Sequence, residues 1–338
     1  MRTARLKIQD GSATYHVMSR VVGGQWLLTD ACKDRFCSLL RRVEEFSGCR
    51  VRTHACMTNH WHVLLHVPER EEVTEAEVLR RVGALYGAKK VHEHQVMWKL
   101  WRDQGNEAAV QRELDRYRAR MYDLSDFVKT LKQRFCIWYN HREGRRGTMW
   151  EERFKSVVVQ ESEFALMAMA TYIDLNPVRA GIVGDPKEYR WSGYGQAVAG
   201  KSVARKGIHG VFSHYGADAS WRQIAAQYRK QLYAIGEQKG VTPDGKPIRS
   251  GISRERVQKV LDEGGKLSYG ELLHCRVRYF SDGMIIGSKE FVNQVFREHR
   301  ELFSEKRKDG ARPMKLGEWG GLCSARALRL APVLPPGG

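Results

Sequence analysis

Between residues 49 and 67 the chain reads CRVRTHACMTNHWHVLLHV, two alternating runs on either side of a turn at Asn59. Side chains on a strand point to opposite faces in turn, so a period of two on both sides of a tight turn marks an antiparallel hairpin. On the second run His60 and His62 share a face, with His66 further along it, while Trp61 and Val63 take the other. Two imidazoles held side by side in this way are either packing residues or two ligands of one metal ion.

The flanks extend the pattern. TYHVMSRV, 14 to 21, reads as a first strand, and TDACKDRFCSLLRRVEEFSG, 29 to 48, as a helix with Thr29 or Asp30 as cap and Gly48 as stop. Strand, helix, strand, turn, strand is the opening of an α+β sandwich. Residues 69 to 123 are charged, helix-prone and without strand character, which marks a helical insertion. A capped amphipathic helix, 123 to 147, ends in a basic glycine turn, TMWEERFKSVVVQ returns to strand, and 162 to 181 reads as a helix capped by Ser162 and limited by Pro177. The first unit closes near residue 201.

At roughly 100–200 residues per domain, 338 residues make two, 1–204 and 205–338. Past GKSVARKG, read as a linker, the second module is basic and helix-rich. Its helices are WRQIAAQYRKQLYAIG, ISRERVQKVLDEGG and GSKEFVNQVFREHRELF, with VTPDGKPIRSG as a loop, HCRVRYF as a short strand and APVLPPGG as a tail.

Lys and Arg number 57 against 39 Asp and Glu, a net charge of +18, which favours phosphate-rich partners over acidic or neutral ones. A basic surface kept only for solubility is the competing account. No run of about 18 uncharged apolar residues is present, so no transmembrane helix is expected. The basic N-terminus has no apolar signal-peptide core, which makes the cytoplasm the default. Seven cysteines without CxxC spacing point to reduced thiols rather than a disulfide framework or a cysteine zinc site.

Imidazole is the commonest transition-metal ligand, and a pair needs a third donor from elsewhere. His92 and His94 have the same spacing, but in a helical, charged stretch where the rings diverge onto the surface. Tyr172 and Asn176 are four apart, on one helix face. A phenol can attack phosphorus and an amide oxygen can complete a metal shell, although an aromatic in such an apolar helix also serves as core. Asn176 precedes Pro177, which disfavours helical angles and puts it at the helix end. Tyr139, in CIWYNHREGRR, is a rival nucleophile on the residues alone. Arg142, Arg145, Arg146, Arg153 and Lys155 are candidates for DNA phosphate contacts, against the alternative of a solvated turn. Trp150 and Phe154 either stack on unpaired bases or fill a core.

MTNHWHVLLHV resembles the His-hydrophobic-His motif of the HUH single-tyrosine transposases. GTMWEERFKSVVV, followed by YIDLNPVRAG and YRWSGY, is similar to the signature of one branch, the REP-associated tyrosine transposases, and the likeness covers roughly residues 10 to 200. The resemblance implies a ferredoxin-like (RNA-recognition-like) antiparallel sheet backed by helices, the histidine strand central and the Tyr172 helix laid against it. It implies His60 and His62 as metal ligands, Asn176 as a further ligand and Tyr172, in preference to Tyr139, as nucleophile. The cofactor would be Mg2+ or Mn2+. The activity would be cutting and rejoining of single-stranded DNA through a 5′-phosphotyrosine, leaving a 3′-hydroxyl, on a strand folded into a palindromic hairpin in the nucleoid.

Neutral ligands leave the ion's charge undiluted, which favours polarising a phosphate. In some members the tyrosine helix of one subunit completes another's site, so a homodimer and a lone chain both stay open. The 69–123 segment departs from the shortest members, and past 205 only charge points to a role at the hairpin or its flank. A catalytically silent nucleic-acid binder on the same scaffold and a hydrolytic nickase are the rival functions.

Overall fold

The computed structural model describes residues 6–233 except 9 and 217, together with 278–314 and 319–326. The alternating runs form the expected hairpin, β2 (Arg50–Cys56) pairing antiparallel with β3 (His60–Val67). β1 (Ala13–Arg20) lies on the other side of β3, with Met18 opposite His62, and β4 (Lys155–Val159) lies beyond β1. The order β2-β3-β1-β4, antiparallel throughout, with helices crossing between β1 and β2 and between β3 and β4, is a ferredoxin-like α+β arrangement. It puts the histidine strand in the interior of the sheet.

Alternation on β3 sorts its side chains between two cores. Trp61, Val63 and Leu65 face α1 (Asp30–Ser47) and α5 (Leu124–Arg142), meeting Phe36, Leu40 and Phe135. Burying each such side chain stabilises the fold by about 1.5–3 kcal/mol before entropy is counted. Gly48 ends α1 at φ 73, and a Cβ there would stand 2.6 Å from both Arg81 and Tyr122, so backbone and packing each require glycine. Thr29 holds the cap position of α1 by backbone geometry, but its hydroxyl turns to Cys32 Sγ instead of capping.

The insertion forms α2 (Glu75–Tyr86), α3 (Ala88–Asp103) and α4 (Glu107–Arg118), with α2 packed on α1. The histidine pair expected on its surface divides: His92 is exposed, whereas His94 is buried with Nε2 2.8 Å from the Tyr117 hydroxyl. α3 presents two faces, and the inner one meets α4.

Leu64, Val157 and Val159 face the second core, occupied by α6 (Glu163–Asp174), while Val158 points to the first. This helix is buried along nearly its whole length because it lies between the sheet and later helices. α7 (Asn176–Arg179) follows directly, then α8 (Gly193–Val198), α9 (Ser202–Val211) and α10 (Trp221–Tyr233). The stretch read as a linker, GKSVARKG, is mostly α9. Its glycines are packing notches: a Cβ on Gly207 would strike the carbonyls of Val51 and Arg52, and one on Gly210 the Arg52 guanidinium. Helix and β2 touch there, and this contact overrides the breaker reading.

Of the described residues past 205, three short strands join the sheet. α11 (Arg278–Asp282) leads into β5 (Ile285–Gly287), which adds to β4 in parallel. Then α12 (Lys289–Glu298), β6 (Arg312–Pro313) and β7 (Cys323–Ala325) follow, giving the order β2-β3-β1-β4-β5-β7-β6. Where HCRVRYF was expected as strand, its described end is helical, while VTPDGKPIRSG, ISRERVQKVLDEGG and APVLPPGG lie outside the described residues. Trp150 and Phe154 are both buried against the α5 side, with the Trp150 indole donating to Lys132 O, so neither offers a face to a base. Among the described residues six cysteines are free, and no helix is long and apolar enough to cross a membrane.

Candidate active site

A cavity of about 600 Å³ opens at the end of β3 where the hairpin turns. His60, His62, Tyr172 and Asn176 all line it, brought from β3, α6 and α7 to one place. Arg153 and Lys155 line it too, while Arg142, Arg145 and Arg146 do not. Those three are exposed, Arg142 at the end of α5 beside Glu143, Arg145 and Arg146 in the turn after it, with Arg145 over the Tyr139 ring. Tyr139 is buried in the α5 core on the far side of the sheet, away from the histidines. His66 shares their face but pairs with Glu161 and does not line the cavity.

The two histidine rings sit 5.0 Å apart, centroid to centroid, at 88°. Each is oriented through Nδ1. For His60 the partner is Asn59 Oδ1 at 2.6 Å, and because Asn59 Nδ2 donates to Gly24 O, the amide oxygen must face the ring. For His62 the partner is His16 Nε2 at 2.8 Å, and His16 Nδ1 lies 2.8 Å from Phe280 O. Burial lowers the pKa of His62 well below 6.5, with the charges of His60, His16 and Arg179 adding to the effect. His16 is pushed down to about 4, again by burial first. His16 and His62 are therefore neutral near pH 7, and a neutral ring is the form in which His62 could ligate a metal.

Asn176 stands past the end of α6, the break falling at Leu175, and opens α7 with Pro177 in its first turn. Its Nδ2 donates to Tyr172 O at 3.1 Å and Ile173 O at 3.2 Å, which turns Oδ1 away from the helix carbonyls. Arg179 Nη2 also donates to Tyr172 O, at 2.6 Å, and its guanidinium carbon lies 4.2 Å over the Tyr172 ring. The ring stands 6.3 Å from His62 and 6.1 Å from His16 between centroids, with Phe280 4.8 Å away on another side. It is only 3% exposed, so the phenol is a wall of the cavity rather than a projecting group.

Among the described residues no three or more His, Cys, Asp or Glu side chains converge as a metal site. The donors that do meet here are two imidazoles and an amide. That set fits a divalent ion whose remaining positions are water or phosphate oxygen, and imidazole suits Mn2+ better than the harder Mg2+.

Three residues at or behind this site have no assignment from sequence, and a fourth, Trp26, lies in an adjoining loop outside the cavity lining. Arg179 stood inside YIDLNPVRAG, seven residues after Tyr172, a spacing of two helical turns that was available as a signal. Asn59 in sequence marks only a turn. His16 has partners 46 and 264 residues away, which no local pattern reveals. Trp26 follows two glycines, is 80% exposed, and belongs to the loop that Asn59 pins at Gly24. An aromatic in a glycine turn instead of a periodic element was its signal.

No family model matches the chain, and no curated protein matches it. One solved structure that is similar is that of a REP-associated tyrosine transposase bound to a REP hairpin, over 59% of this chain and 87% of its own, at 14% identity and a TM-score of 0.36. At that score the likeness bears on neither site nor activity.

Proposed function

We propose that this chain cuts and rejoins single-stranded DNA carrying a palindromic hairpin, with Tyr172 as the nucleophile. The observation that carries the reading is the meeting of His60, His62, Asn176 and Tyr172 on one cavity from separate elements. The Tyr172 oxygen attacks phosphorus, the bond to the 3′ oxygen breaks, and that oxygen leaves as a 3′-hydroxyl while the 5′ phosphate stays on the phenol. Reversal by another 3′-hydroxyl rejoins the strand without loss of bond energy. His60, His62 and Asn176 are the residues that would hold Mg2+ or Mn2+, which when bound supplies positive charge against the non-bridging phosphate oxygens. Arg179, over the Tyr172 ring, and Arg153, at the cavity wall, add positive charge toward the same phosphate, while Lys155 is paired with Asp282 and Glu151 and Glu152 also line the cavity. Trp26, 80% exposed, is an aromatic suited to an unpaired base, and the basic residues of 205–338 suit a flank of the hairpin.

A catalytically silent hairpin binder is a second reading, favoured by the 3% exposure of Tyr172. One assay separates them. Protein is incubated with hairpin-bearing single-stranded DNA and Mn2+, then denatured and resolved. A protein–DNA band that survives denaturation, lost in Tyr172→Phe and kept in Tyr139→Phe, supports strand transfer. Binding without a band means the silent binder, and cleaved DNA without a band means hydrolysis.

A further inference from the structure

We infer that His16 is a positioning residue: it fixes which nitrogen of His62 carries the lone pair, and the Phe280 carbonyl fixes His16 in turn. The inference rests on the reading of His62 as a metal ligand and adds the device that makes it one.

His16 sits in the middle of β1, fully buried, with its ring stacked on His62 at 5.0 Å. Its two ring nitrogens meet different partners, Phe280 O at Nδ1 and His62 Nδ1 at Nε2, each at 2.8 Å. A carbonyl can only accept, so His16 Nδ1 carries the hydrogen. Neither partner is an anion, and a neutral imidazole has a single N–H. His16 Nε2 is therefore an acceptor, and the hydrogen between the two rings belongs to His62 Nδ1. The lone pair of His62 is left on Nε2. Reverse any one of these bonds and an N–H, which cannot ligate, takes its place. An apolar side chain at position 16 would fill the same volume but leave the buried His62 Nδ1–H without an acceptor.

On His60, Asn59 Oδ1 likewise accepts from Nδ1. Both candidate ligands thus have Nδ1 tied by a partner that only accepts in that position. The anchor for His62 comes from α11, 264 residues after His16. The segment past residue 205 is accordingly part of the metal site's support and not only a basic surface.

Two measurements on the full chain test this. In metal-free protein with labelled histidines, ring nitrogen NMR should show His16 and His62 both as Nδ1–H tautomers, and His62 protonated on Nε2 overturns the proposal. Calorimetric titration with Mn2+, without DNA, should show affinity lowered about 10–100-fold in His16→Phe. His16→Gln, whose Oε1 can accept from His62, should stay within about threefold of wild type under the same rule. Wild-type affinity in His16→Phe overturns the proposal. If that variant fails to fold, the tautomer measurement on wild type decides. A wild-type chain that binds no Mn2+ sinks the metal-site reading, while the tautomers still judge the relay.

Discussion

Asp174→Asn should remove a pH dependence that the wild-type fold carries. Asp174 closes α6 with its carboxyl fully buried, accepting from Thr53 Oγ1 at 2.8 and 3.0 Å, Tyr194 N at 3.1 Å and Tyr228 OH at 2.6 Å. Burial raises its pKa from 3.8 to about 6, against the pull of those hydrogen bonds. Between about pH 4 and 6 the folded chain keeps a proton that the unfolded chain has released. The stabilisation from this group is complete below pH 3.8 and is lost as pH rises through 6. A rise of about two units, at about 1.4 kcal/mol each, makes the loss roughly 3 kcal/mol.

The buried His16, with its pKa lowered to about 4, and His54 and His62, lowered well below 6.5, act in the opposite sense. Their contribution is lost as pH falls below 6.5, so the wild-type curve is a sum, and only the difference between two chains isolates Asp174. Asn keeps the acceptor for Thr53 and Tyr194, and the Tyr228 hydroxyl can turn to accept from the new amide. Urea unfolding at pH 4, 5, 6 and 7 measures both chains. The stability of the variant minus that of wild type should climb by roughly 3 kcal/mol from pH 4 to pH 7. A difference that stays flat across that range refutes the account of a carboxyl penalised by burial.

Gly207→Ala would raise helix propensity in α9 yet should lower stability by about 1–3 kcal/mol, because the new Cβ meets two β2 carbonyls; denaturant midpoints read it. Trp26→Ala should weaken binding of hairpin DNA with unpaired bases by about 1–3 kcal/mol in a gel-shift titration. Its melting temperature should hardly move, since the residue is 80% exposed. Stripping divalent ions with a chelator should abolish the covalent band and added Mn2+ should restore it in wild type but not in His62→Ala.

The sequence was most readable where structure is set by near neighbours. The alternation over 49–67 and Gly48 each act within a few residues, and the hairpin and the end of α1 follow from them. What could not be read depends on distant chain. Gly207 and Gly210 look like breakers until β2 is laid against them. Trp150 and Phe154 look like stacking platforms until α5 covers them. At the site, His60, His62, Tyr172 and Asn176 stood in two local motifs. His16 had none, because both its partners arrive through folding.

The added strands also change what borders the sheet. β4 carries Val157, Val158 and Val159 in succession, and in a four-stranded sheet its outer N–H and C=O groups would lie open to any passing strand. Here β5 occupies that position, with Val158 N bonded to Met284 O and Gln160 N to Ile286 O. The margin moves out to β6, two exposed residues, one cationic and one a proline without an N–H to donate. On that side the sheet ends in a sequence that resists recruiting another copy. A chain cut short before Ile285 would present its valine strand to its neighbours, and aggregation would be its first defect.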